Sequence, residues 1–219
     1  TVMTSSSKLD PIPEPKTLTK AESMKLVHHL LVMSLGCIAY LRDFFAEDNF
    51  VVRRLIPERL LEHETNLYTS SKSGLKVTTL VKGISKEADK FLDWLDHGVL
   101  CCLKSGFLKG LSLGIFTDPQ RPEKLVECYV FSFAYDENGY AGIRVGSDAE
   151  DRVAPVSTVL EARDTFQQLM RRFIILTQSL DLLPSKKYLS MRLIYSDSCP
   201  SDFQPHLFRD CTFDTPATV

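Results

Sequence analysis

The residues with the most chemical potential in this sequence are an adjacent cysteine pair and a nearby histidine. His97 lies four residues before Cys101, so on a helix the imidazole could reach that thiol. A nucleophilic thiol needs such a base and a lowered pKa. Cysteine is also among the residues most often buried in protein cores. Because Cys101 and Cys102 fall late in an amphipathic pattern, we interpret both as core residues, and no enzymatic activity is predicted.

Other patterns for catalysis or ligand binding are weaker. His28 and His29 are adjacent, so on a helix their side chains point about 100° apart and cannot chelate one ion together. We therefore expect one packed and one solvated imidazole. The glycines from Gly106 to Gly114 lack the residue order of a phosphate-binding loop. No Cys-x-x-Cys or His-x-x-x-His spacing occurs, so neither a metal nor another cofactor is expected.

Composition and charge exclude several further classes of protein. The chain has 219 residues, 44% hydrophobic and 25% charged, with a net charge of −2. These fractions are typical of a globular domain, and the length is sufficient for one sizeable core. A near-neutral chain is not built mainly to neutralise phosphates, so we interpret Arg171-Arg172 and Lys186-Lys187 as solvated surface. No apolar run approaches the length of a membrane span.

Capping signals and hydrophobic periodicity predict three long helices. Thr19 and Glu22 form a capping box, Thr158 and Glu161 form another, and Ser85 is a helix N-cap. The first helix is apolar on several sides, which predicts a central position in the core. The helices are predicted from Thr19 to between Asp43 and Glu47, from Ser85 to Gly106, and from Thr158 to about Leu182.

Extended patterns predict a mainly antiparallel sheet and therefore an α+β fold. Aromatic residues alternate with smaller ones from Tyr129 to Tyr135, so one aromatic face packs on a helix. The last strand is followed by a proline-rich, irregular tail. Such a strand leaves a sheet edge that can take a peptide. The predicted strands are 75–81, 107–116, 125–135, 140–145 and 188–195.

Several segments carry a more specific pattern. They include LVMSLGCIAYLRDFF (31–45), FLDWLDHGVL (91–100), LKGLSLGIF (108–116), YVFSFAYDENG (129–139), QQLMRRFIILTQSLDLLPSKKYLSMRLIYSD (167–197) and FRDCTFD (208–214). In these segments, and in the order of its elements, the chain resembles the HORMA domains of the meiotic chromosome-axis proteins of budding yeasts. The resemblance covers residues 19–219. It implies a flexible segment at 1–18, a HORMA core at 19–195, and at 196–219 the start of a C-terminal "safety belt" that continues in family members.

The resemblance implies a peptide-binding function. In this family a short closure-motif peptide adds as a strand to the sheet edge, and the belt wraps over it. Carried onto this chain, the receiving strand is Leu189–Tyr195, and the belt contributes two phenylalanines. The implied peptide-binding residues are Leu189, Ser190, Met191, Arg192, Leu193, Ile194, Tyr195, Phe203 and Phe208.

The same resemblance implies partners and a location. The closure motifs would come from an axis core protein and from the full-length protein's own C-terminus. An AAA+ ATPase remodeler would engage the N-terminal segment. The protein would act in the nucleus on meiotic chromosomes, contacting chromatin indirectly and no membrane, and would support axis assembly, recombination and synapsis.

Three alternatives stay open at the level of the sequence. A sibling HORMA role would place the chain in the spindle checkpoint or make it an adaptor of a translesion polymerase. Nucleic-acid binding would use the basic pairs. A thiol hydrolase would use Cys101 and His97.

Overall fold

The computed structural model describes residues 17–55, 68–69, 75–146 and 152–219. Of the predicted flexible segment 1–18, residues 1–16 lie outside the described residues. The helices described are α1 (Lys20–Leu41), α2 (Lys86–Asp93), α3 (Leu100–Lys104) and α4 (Val159–Gln178), with a π-helical segment (Trp94–Val99) that joins α2 to α3. The strands described are β1 (Phe50–Leu55), β2 (Tyr68–Thr69), β3 (Leu75–Leu80), β4 (Leu108–Phe116), β5 (Glu127–Tyr135), β6 (Ala141–Val145) and β7 (Tyr188–Tyr195).

The predicted helix starts are confirmed, whereas two helix ends come earlier than predicted. Both capping boxes form, as at α1, where the Glu22 amide donates to Oγ1 of Thr19 over 3.2 Å. α1 ends at Leu41 because Asp43 adopts a φ of 54° and turns the chain out of the helix. α4 ends at Gln178, where the Ser179 hydroxyl donates to the Leu176 carbonyl over 3.0 Å and satisfies a group of the last turn.

The central position of α1 is confirmed. α1 packs against α3, α4, β3 and β6. Ser23 on α1 accepts a hydrogen bond from the Ala141 amide at 3.0 Å and donates to the Val156 carbonyl at 2.6 Å. By length and composition alone α1 could cross a membrane, so the expectation that no apolar stretch is long enough was wrong. The packing accounts for its composition, because 67% of its most apolar stretch is buried inside the fold.

The strands form two antiparallel sheets. β2, β1 and β3 form a small sheet in that order, and the larger sheet has the order β6-β5-β4-β7. The aromatic face of β5 packs on α4, as predicted: the ring centroids of Phe131 and Phe173 lie 5.9 Å apart. This larger sheet carries the chain's candidate site, because its two outer strands differ in how they are covered.

Outer strand β6 is covered by the chain that precedes α4. The Val156 amide donates to the Ala141 carbonyl over 2.8 Å. The same segment approaches Gly142 so closely that a Cβ there would lie 2.2 Å from the Ala154 carbonyl oxygen. On the opposite side, β7 pairs with β4, and no strand within the described ranges pairs with its other edge. The larger sheet therefore has one occupied edge and one available edge.

Candidate peptide-binding edge and C-terminal belt

The backbone of β7 alternates between its partner β4 and the available edge. The Val126 amide donates to the Ile115 carbonyl over 2.7 Å, so the backbone groups of Ile115 face β5. Neighbouring residues of a strand direct these groups to opposite sides, so those of Gly114 face β7. Gly114 is paired with Ser190 in the ladder.

This register settles which residues of β7 are available to a new strand. Ser190, and with it Arg192 and Ile194, direct their amides and carbonyls to β4. The remaining residues direct the same groups to the available edge. These outward-facing backbone positions are Leu189, Met191, Leu193 and Tyr195.

The side chains of those four positions pack against the core. Their neighbours lie on the opposite face of the sheet, where Ile194 is 51% exposed. The available edge is therefore held in place by its own side chains, while no strand within the described ranges pairs with its outward backbone groups. The structure places the seven predicted edge residues, Leu189 to Tyr195, in this one outer strand, and their role in peptide binding stays a prediction.

Residues 196–219, which the resemblance implies are the start of the belt and which are called the belt below, begin at the end of β7. The Ser196 amide donates to the Phe107 carbonyl over 2.8 Å. The Phe203 ring then packs edge-on against Phe107 and Tyr195, with centroid distances of 5.1 and 5.8 Å. The predicted belt residue Phe203 thus anchors the root of the belt.

The far end of the belt is tied to the connection between β4 and β5. Thr218 forms a parallel bridge with Lys124; its amide donates to the Glu123 carbonyl and its carbonyl accepts from the Leu125 amide, both over 2.8 Å. The Leu125 side chain lies against Gly114 of β4. Gly114 in turn pairs with Ser190, near the start of β7. The belt therefore begins at one end of β7 and is fixed near the other.

An ion pair lies within the belt between its two ends. Nη2 of Arg209 lies 2.6 Å from Oδ2 of Asp214. The hydrogen bond from Arg209 lowers the pKa of Asp214, and the positive charge of Arg192 on β7 adds to this lowering. Both partners are solvent-accessible, so the pair orients the belt and contributes little stability.

A pocket of about 560 Å³ lies where the start of β7 meets α2. Tyr188 and Leu189 of β7 form one wall. The basic side chains Lys90 and Lys187 lie among aromatic rings, and Nζ of Lys90 is 5.8 Å from the centre of the Trp94 ring. No pattern in the sequence indicates this pocket, because its walls come from four separate segments. Its aromatic lining residues are Phe44, Phe45, Phe91, Trp94, Phe116 and Tyr188.

Within the part of the chain that the structure describes, no hydrogen bond joins His97 to Cys101 or Cys102. Cys102 is buried and donates to the Gly98 carbonyl, and burial raises the pKa of its thiol to about 12. Cys101 is exposed, so the expectation that both are core residues was wrong for Cys101, which the helix turns to solvent. Nε2 of His97 lies 3.8 Å from Oδ1 of Asp93, one turn away from the thiols.

The two adjacent histidines are both packed, which corrects the expectation of one solvated ring. His28 is buried and donates from Nε2 to the Leu95 carbonyl over 2.9 Å. His29 is half-buried and donates from Nδ1 to the Lys25 carbonyl, one turn earlier in α1, over 2.8 Å. Across the described ranges, no three metal-binding side chains come together.

Comparison with known proteins identifies the fold family. A model of the HORMA domain matches residues 23–219. This chain belongs to the HORMA domain family. The predicted α+β HORMA fold is confirmed by HTP-2 of C. elegans, solved bound to the HIM-3 closure motif. That structure superimposes with a TM-score of 0.68 at 22% identity and covers 92% of this HORMA chain and 81% of its own.

Relatives with meiotic names match the same HORMA region. Meiosis-specific protein HOP1 of Saccharomyces cerevisiae is 44% identical over 218 residues, which cover 94% of this chain and 36% of HOP1. HORMA domain-containing protein 1 of Xenopus laevis is 33% identical over 200 residues, which cover 90% of this chain and 46% of that protein. The chain spans less than half the length of both relatives.

Proposed function

We propose that this HORMA chain captures closure-motif peptides as an added strand beside β7, within a meiotic chromosome-axis protein. The observation that carries the proposal is the available edge of β7, which runs beside a belt fixed at both ends of the strand. Edges of this kind bind peptides by β-augmentation. The closure motif bound to HTP-2 and the meiosis-specific relative HOP1 support the same function.

The chemistry of capture is main-chain hydrogen bonding. Each bond to an outward group, as at Met191 or Leu193, contributes roughly 1 kcal/mol. Several such bonds give modest affinity, because they must offset the ordering of the peptide. A belt over the bound strand slows dissociation and so raises affinity through the off-rate. The proposal therefore assigns binding to β7 and retention to residues 196–219.

The finer parts of the proposal concern partners. We assign 1–18 to a segment that an AAA+ ATPase remodeler engages, 19–195 to the core and 196–219 to the belt. Buried Leu18 supports a mechanical link between the first two parts: its amide donates to the Ser157 carbonyl and its carbonyl accepts from the Tyr140 hydroxyl, each over 2.9 Å. A pull on the N-terminus would thus reach the segment that covers β6. Axis assembly, recombination and synapsis on meiotic chromosomes in the nucleus are the processes proposed for the full-length protein.

The experiment is a peptide array that tiles the axis core protein and the full-length protein's own C-terminal region. Labelled hits are titrated with residues 1–219 by fluorescence polarisation, beside scrambled peptides and peptides from checkpoint and polymerase partners. We expect a specific axis peptide to bind and to slow amide exchange in residues 196–219. Tighter binding of a checkpoint or polymerase peptide would favour the sibling role, and no binding by any axis peptide would reject the proposal.

A further inference from the structure

The middle of the belt packs against Gly98 of the core. Gly98 is buried in the π-helical segment. A Cβ at this position would lie 2.3 Å from Cε2 of Phe208 and 2.8 Å from the His206 carbonyl oxygen. Real Cβ contacts do not come so close, so only glycine leaves room for the belt here. The absence of one side chain makes a notch in which the Phe208 ring lies.

The belt adopts an unusual backbone conformation to place this ring. Leu207 has a φ of 69°, a left-handed conformation that is unfavourable for a branched residue. The Leu207 side chain is 49% exposed, so its own packing does not account for the strain. The turn is held on either side, because the Phe208 amide donates to the Pro205 carbonyl and Nε2 of Gln204 donates to the Phe208 carbonyl. Strain of this kind persists only where the surroundings enforce it.

On the core side, the π-helical segment supplies the residue that the belt turn contacts. Short π-helical segments inside helices occur frequently at functional sites. Here the segment lies between α2 and α3 and presents Gly98 to the belt. Both sides of the contact thus depart from regular backbone geometry at the place where they meet.

Within the described residues, backbone hydrogen bonds join the belt to the rest of the chain only near Ser196 and Thr218. Between these two ends, Phe203 stays at the root beside Tyr195. Farther along the belt, the Phe208 ring packs against the core. The next aromatic residue of the belt, Phe213, is 98% exposed.

We propose that the notch at Gly98 and the ring of Phe208 form a latch that holds the belt against the core and so retains a peptide beside β7. The claim that the latch retains a peptide rests on the proposed function, whereas the claim that it holds the belt against the core does not. Phe208 is a peptide-binding residue by the resemblance, but its ring packs against Gly98 of the core, so both residues are given a positioning role here. Release of the ring would free the middle of the belt while its root stays attached through Phe203.

Hydrogen exchange of the belt amides in residues 1–219, without peptide, tests the latch. Gly98→Ala and Phe208→Ala are each expected to speed exchange at Phe208 and Asp214 about tenfold, which corresponds to about 1.4 kcal/mol. The double variant is expected to show clearly less than the sum of the two single effects, because both changes act on the contact between residue 98 and the Phe208 ring, although the added methyl group still meets the His206 carbonyl oxygen. Exchange in α2 and α3 is expected to stay equal or slow slightly in Gly98→Ala, because alanine favours a helix.

Two matched controls separate the latch from general effects. Gly36→Ala adds the same methyl group in α1, where its nearest neighbours lie 3.7 Å away. Phe213→Ala removes the same ring from an exposed position of the belt. Both controls are expected to leave belt exchange unchanged. Unchanged exchange in Gly98→Ala and Phe208→Ala, or effects that add up in the double variant, would overturn the latch.

A kinetic measurement tests retention, with the fluorescein-labelled axis peptide selected from the tiled array as the probe. Loss of the latch is expected to raise the dissociation rate about tenfold and to leave the association rate unchanged or faster, a pattern that simple destabilisation does not produce. An unchanged dissociation rate, together with faster belt exchange, would overturn the retention role. A parent chain that binds no tiled peptide would reject the proposed function, and the exchange result would still decide the latch.

Discussion

Arg42 donates from Nε to Oε2 of Glu127 over 3.0 Å, and both side chains are buried between the end of α1 and β5. Nη2 of the same arginine donates to the other carboxylate oxygen and, over 2.6 Å, to the Asp181 carbonyl. The hydrogen bond to Glu127 is the main cause that raises the pKa of Arg42. The pair therefore connects the central helix, the larger sheet and the chain that leads into β7.

Breaking this pair from one side is expected to destabilise the fold strongly. Arg42→Met leaves the Glu127 carboxylate buried with the Tyr129 hydroxyl, 2.9 Å away, as its donor. An uncompensated buried charge costs about 3–5 kcal/mol of unfolding free energy. Replacing both partners, in Arg42→Met with Glu127→Met, is expected to recover most of this loss. Urea unfolding measures both; equal losses in the single and double variants would contradict a charge effect.

The second prediction concerns acid and the two histidines of α1. Burial is the main cause that lowers the pKa of His28, and it lowers the pKa of His29 to about 4. In the unfolded chain both titrate near pH ~6.5. Between these values the unfolded chain binds more protons, so the unfolding free energy is expected to fall as the pH drops from about 6.5 towards about 4.

Urea unfolding between pH ~7 and pH ~5 measures this dependence. In His28→Gln the side-chain amide can still donate to the Leu95 carbonyl but cannot bind a proton, so a flatter slope is expected. His206→Gln, on the exposed part of the belt, serves as the matched substitution for comparison. A slope that His28→Gln leaves as steep as in the parent would assign the acid sensitivity to other groups.

The sequence alone was sufficient for elements whose signals are local. β7 has the predicted bounds, because the strand pattern from Tyr188 to Tyr195 is a local signal. Both capping boxes form because their partners lie three residues apart. Which backbone groups of β7 face outward needed the ladder register as well, because side-chain alternation alone does not tell which neighbour a strand has.

Features that depend on distant partners could not be predicted. Arg42 and Glu127 are 85 positions apart, and each alone is typical of a solvated charge. The π-helical segment could not be predicted, because Leu95 and Val99 are spaced as in an ordinary α-helix. The role of Gly98 is visible only when Phe208 lies against it. The aromatic pocket beside Tyr188 likewise exists only after folding.

The third prediction separates the two neighbouring cysteines. Cys102→Ser places a hydroxyl in a buried site and is expected to lower the unfolding free energy by about 1–3 kcal/mol. Cys101→Ser, at the exposed neighbour, is the matched control and is expected to change it by about 0.5 kcal/mol or less. Thermal melting measures both, and neither variant is expected to change the peptide affinity of the folded fraction. If the parent chain shows a thiol-dependent hydrolase activity that is lost in a folded variant carrying both serine substitutions, the structural interpretation of the two cysteines is wrong.

The last prediction tests the edge of β7 with single prolines, which remove one amide donor each. Met191→Pro and Leu193→Pro remove donors that face the available edge, so these variants are expected to fold and to lose binding of the selected axis peptide. Arg192→Pro and Ile194→Pro remove donors that face β4, so they are expected to melt at lower temperature. The lost edge bonds contribute roughly 1 kcal/mol each, and the proline ring adds steric exclusion of the peptide.

Alanine at the same positions controls for the side chains. Met191→Ala and Leu193→Ala lose packing against the core but keep their amides, so they are expected to retain peptide binding at some loss of melting temperature. Fluorescence polarisation and thermal melting on all six variants separate the donor from the side chain. If the folded Met191→Pro and Leu193→Pro variants bind the peptide like their alanine counterparts, β7 does not receive the peptide, and capture must occur elsewhere on the domain.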